Sequence, residues 1–244
     1  MSSLSAGFRL VRAGWVLVRE GVVAALPGDQ LSGLPKLGWR VATMFTRRRA
    51  LKQDRSDRLA HAVARLGPSY VKLGQFLATR PDVVGNDIAL ELALLQDKMP
   101  TFPRAEAQAA IEASLGRTTG DLYLEFGDAV AAASIAQVHP AEIDYPQGRR
   151  KVAVKVIRPG VRRRFLQDLE SYFLAARLQE KYIPSSRRLR PVQVTETLAQ
   201  TTRIEMDLRL EGAALSELGE NTKEDPGFRV PAVDWERTGR DVLT

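Results

Sequence analysis

Apolar positions along the chain switch between two periods. Across residues 151–157, Val152, Val154 and Val156 alternate with Ala153, Lys155 and Ile157, the period-two pattern of a strand. A second strand leads through Gln137 to His139, and a turn around residues 145–148 joins the two runs into a hairpin. Two more strands are predicted at 228–233 and 241–244. Elsewhere the period is helical. Over residues 8–26, Phe8, Val11, Trp15, Val18 and Val22 fall in one apolar sector, with Arg9, Arg12, Arg19 and Glu20 placed opposite. Residues 26–35, with Pro27-Gly28-Asp29 and Ser32-Gly33, predict a loop, and 36–52 a helix ending in Arg47-Arg48-Arg49. Further helices are predicted at 56–65 (capped by Ser56, stopped by Gly67-Pro68), 87–97, 104–115 (stopped by Gly116) and 161–182. A last one starts with Pro191 at its first position and runs to about 218. Between 67 and 82, a helix places Lys72, Gln75 and Thr79 along one face beside Gly74, where a second backbone can approach closely.

Composition narrows the function classes. The chain has 244 residues, 44% of them hydrophobic, enough for a real core in one large domain or two ordinary ones. The absence of cysteine excludes disulfides, thiolate metal sites and a thiol nucleophile, and suits a reducing compartment. Of the net charge of +7, residues 1–66 carry an excess of eight positive charges and the rest a near balance. A basic end on a neutral body points to an anionic surface. Aromatics are not interleaved with the bases as a single-strand nucleic-acid groove requires, so a membrane surface ranks above nucleic acid. Arginine combined with Trp15 and Phe8 suits a helix lying at a bilayer interface; the alternative is a helix packed on the protein's own core. No secretory signal fits, and no run reaches the roughly 18 apolar residues needed to span a bilayer.

Candidate chemistry gathers around Lys155. An ammonium among small and branched apolar neighbours calls for an anionic partner, because leaving it unpaired and dehydrated costs several kcal/mol. Read as one helix, 191–218 offers Glu205, Asp207 and Glu211 on two sides, with Asp207 and Glu211 sharing a face. Each of these acids read singly is also compatible with a solvated helix charge. The small residues Ala131, Ala132, Ala133 and Ser134 precede the hairpin where a phosphate-cradling loop would sit, although alanine lacks the positive-φ freedom of glycine.

Four segments in this order resemble the UbiB/AarF family of atypical kinase-like proteins. Lys72-Leu73-Gly74-Gln75 matches its K-x-G-Q signature and Ala131-Ala132-Ala133-Ser134 its alanine-rich nucleotide loop. Val152-Ala153-Val154-Lys155 matches its strand lysine and Glu205-Met206-Asp207 its E-x-D motif. The resemblance implies an α+β fold: a protein-kinase-like small lobe, antiparallel sheet plus helices, preceded by a helical extension carrying K-x-G-Q. It divides the chain into a basic amphipathic region (1–66), the extension (67–127) and a small lobe (128–244) cut before the large lobe. It also implies that Lys155 contacts the phosphates of ATP or ADP and pairs with Glu211. Lys72 and Gln75, with Gly74 between them, would dock against Glu205 and Asp207 and hold the extension over the site where a protein substrate would otherwise bind. The family works on ubiquinone or related prenyl lipids at the cytoplasmic face of a membrane, by ATP hydrolysis, with other ubiquinone-biosynthesis proteins as possible partners.

Two departures stand out. The family often continues E-A-x-N after the helix glutamate, whereas this chain has Glu211-Gly212-Ala213-Ala214. Phosphoryl transfer also needs a catalytic-loop aspartate and Mg²⁺ ligands from a large lobe. No segment supplies them, so the chain is expected to be an inactive fragment. The rival expectation is a non-catalytic lipid-binding or scaffold module worked by the basic N-terminus.

Overall fold

The structure is a computed structural model and describes residues 3–25, 33–94, 99–146 and 148–244, without the side chains of 3 and 33–35. Its elements in chain order are α1 (Ser3–Arg19), α2 (Gly33–Met44), α3 (Arg55–Leu66), α4 (Pro68–Ala78), α5 (Pro81–Val84), α6 (Asn86–Ala93), α7 (Arg104–Leu115) and α8 (Thr119–Leu122). Strands β1 (Glu125–Phe126), β2 (Ala131–Ala132), β3 (Ala136–Ile143) and β4 (Arg150–Ile157) follow. Then come α9 (Val161–Tyr182), α10 (Pro191–Glu205), α11 (Leu208–Asn221) and β5 (Val242–Leu243). These elements form two compact units, one of residues 1–97 and 163–198 and the other of 98–162 and 199–244.

The second unit is α+β. Its hairpin β3–β4 is antiparallel from the Ala136 to Ile157 pair out to the Ile143 to Arg150 pair. β1 and β2 both pair with β3, and β5 pairs with the far side of β4, so every sheet contact is antiparallel. Alternation sends Val154 and Val156 into a core shared with Ile111, Leu122, Phe126, Ile143 and Val242. Helix α7 covers that core and ends where predicted, at Gly116 in the left-handed region. Beneath β1, Gln137 and His139 form a buried polar frame. The Gln137 amide accepts from the Phe102 N–H (2.9 Å) and donates to the Phe102 carbonyl (3.1 Å) and to His139 Nε2 (2.8 Å). His139 therefore carries its proton on Nδ1 and donates it to the Gly127 carbonyl (2.9 Å).

Among its described residues the first unit has helices as its regular structure and no strand. Gly67, at φ +104, turns α3 directly into α4, and Pro68 opens α4 at a position where its missing N–H costs nothing. Ala13 and Val16 of α1 pack on Leu66, with Tyr70 at the edge. Glu20 is buried beneath Arg47 (2.8 Å), Arg65 (3.0 Å) and Arg49 (4.0 Å). Arg9 reaches Glu170 (2.7 Å) and Ser171 (3.2 Å) on α9.

Several boundaries depart from the sequence pattern. The 8–26 helix begins earlier and stops at Arg19, because Gly21 at φ +75 turns the chain close against Thr46 and Ala50. The 36–52 helix is α2 and ends at Met44, leaving Arg47 in a turn where Glu20 captures it. Of the loop predicted over 26–35, residues 26–32 lie outside the described residues, while Gly33 to Pro35 already belong to α2. Asp54, not Ser56, stands at the cap position of α3. The 87–97 helix ends at Ala93, and residues 95–98 lie outside the described residues, as does Gln147 of the hairpin turn. Residues 228–233 form no strand. The helix read as running from 191 to 218 is two helices, broken at Met206-Asp207.

Candidate functional site

The candidate site of the second unit is centred on β4. That strand lies between β3 and β5, and Lys155 sits in register with Val138 on one side and Leu243 on the other. Its face is open, not buried: Ala153 is exposed and Lys155 half-buried, while Val154 and Val156 fill the opposite face. An aliphatic stem on an apolar strand with the ammonium at an open surface suits an anionic ligand. Lys155 Nζ lies 2.7 Å from both carboxylate oxygens of Glu211. With 32% and 42% of the two side chains exposed, this pair adds less than about 1 kcal/mol to stability. It positions a charge more than it holds the fold together.

Glu211 reaches Lys155 because α11 starts where it does. Asp207 caps the helix, accepting from the Arg209 N–H (3.2 Å), and its carboxylate also takes the Arg209 guanidinium at 2.9 and 2.6 Å. That hydrogen bonding holds the Asp207 carboxyl below its ordinary range. The break before it is fixed from outside the helices: Arg162 donates to the Met206 carbonyl and pairs with Asp241, and the Leu208 N–H donates to the Arg240 carbonyl (3.1 Å). Glu205 thus closes α10 and Asp207 opens α11. Expecting both acids on one continuous helix with Glu211 was wrong, because these partners interrupt the backbone ladder. Gly212 stands where the E-A-x-N pattern has alanine. A Cβ there would come within 3.2 Å of Leu243 and Trp235, so glycine lets α11 lie close to β5 and brings Glu211 within reach of β4.

The alanine-rich segment borders the same sheet. Ala131 and Ala132 pair with Val138 and Gln137 as β2, and the Ala133 N–H donates to the Ala136 carbonyl (2.8 Å), closing a tight turn over buried Ser134. Ala131 stands two strands from Lys155, in register with it through Val138 of β3. Lys72, Gly74 and Gln75 lie together on α4 in the first unit, with Gly74 buried and its neighbours half-buried. Glu205 and Asp207 lie in the second unit.

Sequence reasoning missed Gln137, Arg162 and Arg209. The available signal for the first was a glutamine and a histidine two residues apart on a strand with Ile135 and Ala141, a buried polar pair that must find partners. Nothing local marked Arg162, whose partners lie more than 40 residues away. Among the described residues no group of three or more His, Asp or Glu could hold a metal ion. No described helix is long and apolar enough to cross a membrane.

Comparison with known proteins converges on one family. Residues 94–244 match the model of the ABC1 atypical kinase-like domain. The chain is similar to the "Probable protein kinase UbiB" of Marinobacter nauticus, 40% identical over 236 residues, covering 96% of this chain and 42% of that protein. It is similar to the protein of that name from Pseudomonas fluorescens, 41% identical over 242 residues and covering 96% and 44%. The Cellvibrio japonicus protein is 40% identical over 191 residues, covering 78% and 34%. The chain therefore spans less than half the length of these curated relatives.

Proposed function

The chain belongs to the ABC1 atypical kinase-like family, and from that premise we propose that its second unit is a nucleotide-binding small lobe. Lys155 neutralises the phosphates of ATP or ADP, Glu211 holds the lysine in place, and Ala131 to Ser134 form the low rim over which the phosphates lie. The whole protein, in this reading, uses ATP with Mg²⁺ to support ubiquinone or related prenyl-lipid biosynthesis at a membrane surface. The observation that carries the reading is the two-oxygen pairing of Lys155 with Glu211 on the open face of the central strand. A structural ion pair would sit equally well at a remote edge. This one lies on the sheet face where Ala131 stands across β3 from Lys155 through Val138.

Binding of a fluorescent ATP analogue to the 244-residue chain, displaced by ATP and ADP, tests the proposal. Lys155→Ala removes a charge-assisted contact worth about 1.5–3 kcal/mol and should weaken binding by roughly tenfold or more, with the circular dichroism unchanged. Equal affinity in the variant contradicts the site. No saturable binding in either protein supports the non-catalytic lipid-binding reading.

A further inference from the structure

Helix α1 is built inside out. Its inward side carries the small residues Ala6 and Ala13 with Val16, whereas Leu4, Phe8, Val11 and Trp15 face solvent, 82%, 73%, 71% and 47% exposed. An ordinary surface helix turns its large apolar residues inward and its polar residues outward. Helix α2 turns Trp39 inward, where its ring N–H donates to the Val23 carbonyl (3.0 Å), but it also exposes Leu37, Val41 and Met44 at helical spacing, with Phe45 exposed just beyond its end. The Trp15 and Phe45 rings are 5.4 Å apart, so the two stripes meet in one apolar surface. A continuous patch of this kind marks a contact surface, unlike the scattered single exposures common to soluble proteins.

The charges around it are of one sign. Residues 3–19 and 33–49 contain no Asp or Glu. Arg12, Arg40, Arg48 and Arg49 are exposed near the stripes, and the Arg19 guanidinium lies 5.7 Å from the centre of the Trp15 ring. Arg9 and Arg47, which the helical pattern grouped with these, are turned inward to Glu170 and Glu20. What remains outside is an apolar, partly aromatic ridge with a cationic border. Two copies meeting through this ridge would bring like charges together, and a nucleic acid would leave the apolar stripe uncovered.

We propose that the joined α1–α2 face is a membrane-inserting surface. Its aromatic and aliphatic side chains seat at the boundary of headgroups and acyl chains in an anionic bilayer, and the bordering guanidiniums take lipid phosphates. The inference builds on the membrane location proposed above and is independent of nucleotide binding. It changes the expected character of binding from electrostatic adsorption to insertion, so part of the affinity survives high salt.

The absence of cysteine makes the test direct. Single cysteines at Val11, Val41 and, as a control, the exposed Leu90 of α6 are labelled with nitrobenzoxadiazole and mixed with phosphatidylcholine vesicles with or without phosphatidylglycerol. The probes at 11 and 41 should shift to the blue and be quenched by acyl-chain quenchers, most strongly with phosphatidylglycerol, while the probe at 90 stays unchanged. Phe8→Glu, at an exposed position, should lower vesicle partitioning about tenfold or more and leave ATP-analogue binding intact. Unchanged probes at 11 and 41, an equal response at 90, or wild-type partitioning of Phe8→Glu would overturn the proposal. A concentration-dependent blue shift without vesicles would overturn it in favour of self-association.

Discussion

Gln137 in the sheet-bearing unit and Glu20 in the helical unit are buried almost completely, yet each is satisfied by a different kind of partner. Gln137 is met by neutral groups: both backbone groups of Phe102 and the ring of His139. Glu20 is met by the guanidiniums of Arg47 and Arg65, with Arg49 at the margin. The sheet unit meets its most deeply buried amide with neutral groups and sets the Lys155 to Glu211 pair on the open face of β4. The helical unit spends ion pairs folding a basic chain onto itself and leaves large apolar side chains outside. A ligand that is small and anionic suits the first arrangement, and an extended interface suits the second.

The largest effects should come from removing these two anchors. Gln137→Ala leaves the Phe102 N–H, its carbonyl and His139 Nε2 without their partner, at about 1–3 kcal/mol for each group not rescued by water. Glu20→Ala leaves two or three guanidiniums facing one another; because they are partly exposed, the cost falls near or below the roughly 3 kcal/mol low end for buried pairs. Native-state hydrogen exchange read segment by segment should show each loss confined to its own unit. Uniform loss of protection across both units would mean that they unfold as one.

A smaller effect separates the units by pH. Hydrogen bonding from Arg209 holds the Asp207 carboxyl below its ordinary range. Its contribution is therefore present above the unfolded value near 4 and is lost as the pH falls through the lower folded value. Burial pushes the Asp168 carboxyl on α9 the other way. Its contribution is complete below the unfolded value and is lost as the pH rises through the higher folded value. Acidification should thus loosen the start of α11 while tightening the Asp168 region of α9. Asp207→Ala should cost about 1 kcal/mol at neutral pH, the usual worth of a helix cap, and remove the acid sensitivity of α11. Acid sensitivity in the same direction for both segments would contradict the assignment.

What could be read from the sequence follows the same division. The β3–β4 hairpin and the helix over 161–182 were legible because long, strongly periodic runs leave little choice of structure. Strands β1, β2 and β5 have two residues each, too few for a period; of the three only β5 falls within a strand predicted from the sequence, at 241–244. The break between α10 and α11 was invisible in Thr202-Arg203-Ile204-Glu205-Met206-Asp207-Leu208, which contains neither glycine nor proline. Its causes are Arg162 on the Met206 carbonyl and the Asp207 cap, the first of them distant in sequence. Periodicity found the stripe of Phe8, Val11 and Trp15 but could not say which way it faced. The small residues opposite decide that, because Ala6 and Ala13 allow α1 to pack closely on its inward side.

Hydrogen–deuterium exchange of the 244-residue chain with and without ADP compares the two regions in one measurement. Added protection is expected at 131–136, along β4 and in the first turns of α11, with α1 and α2 unchanged. Protection centred on α1 and α2, or no change at 131–136 and β4 at saturating nucleotide, would contradict the placement of the nucleotide site in the sheet-bearing unit.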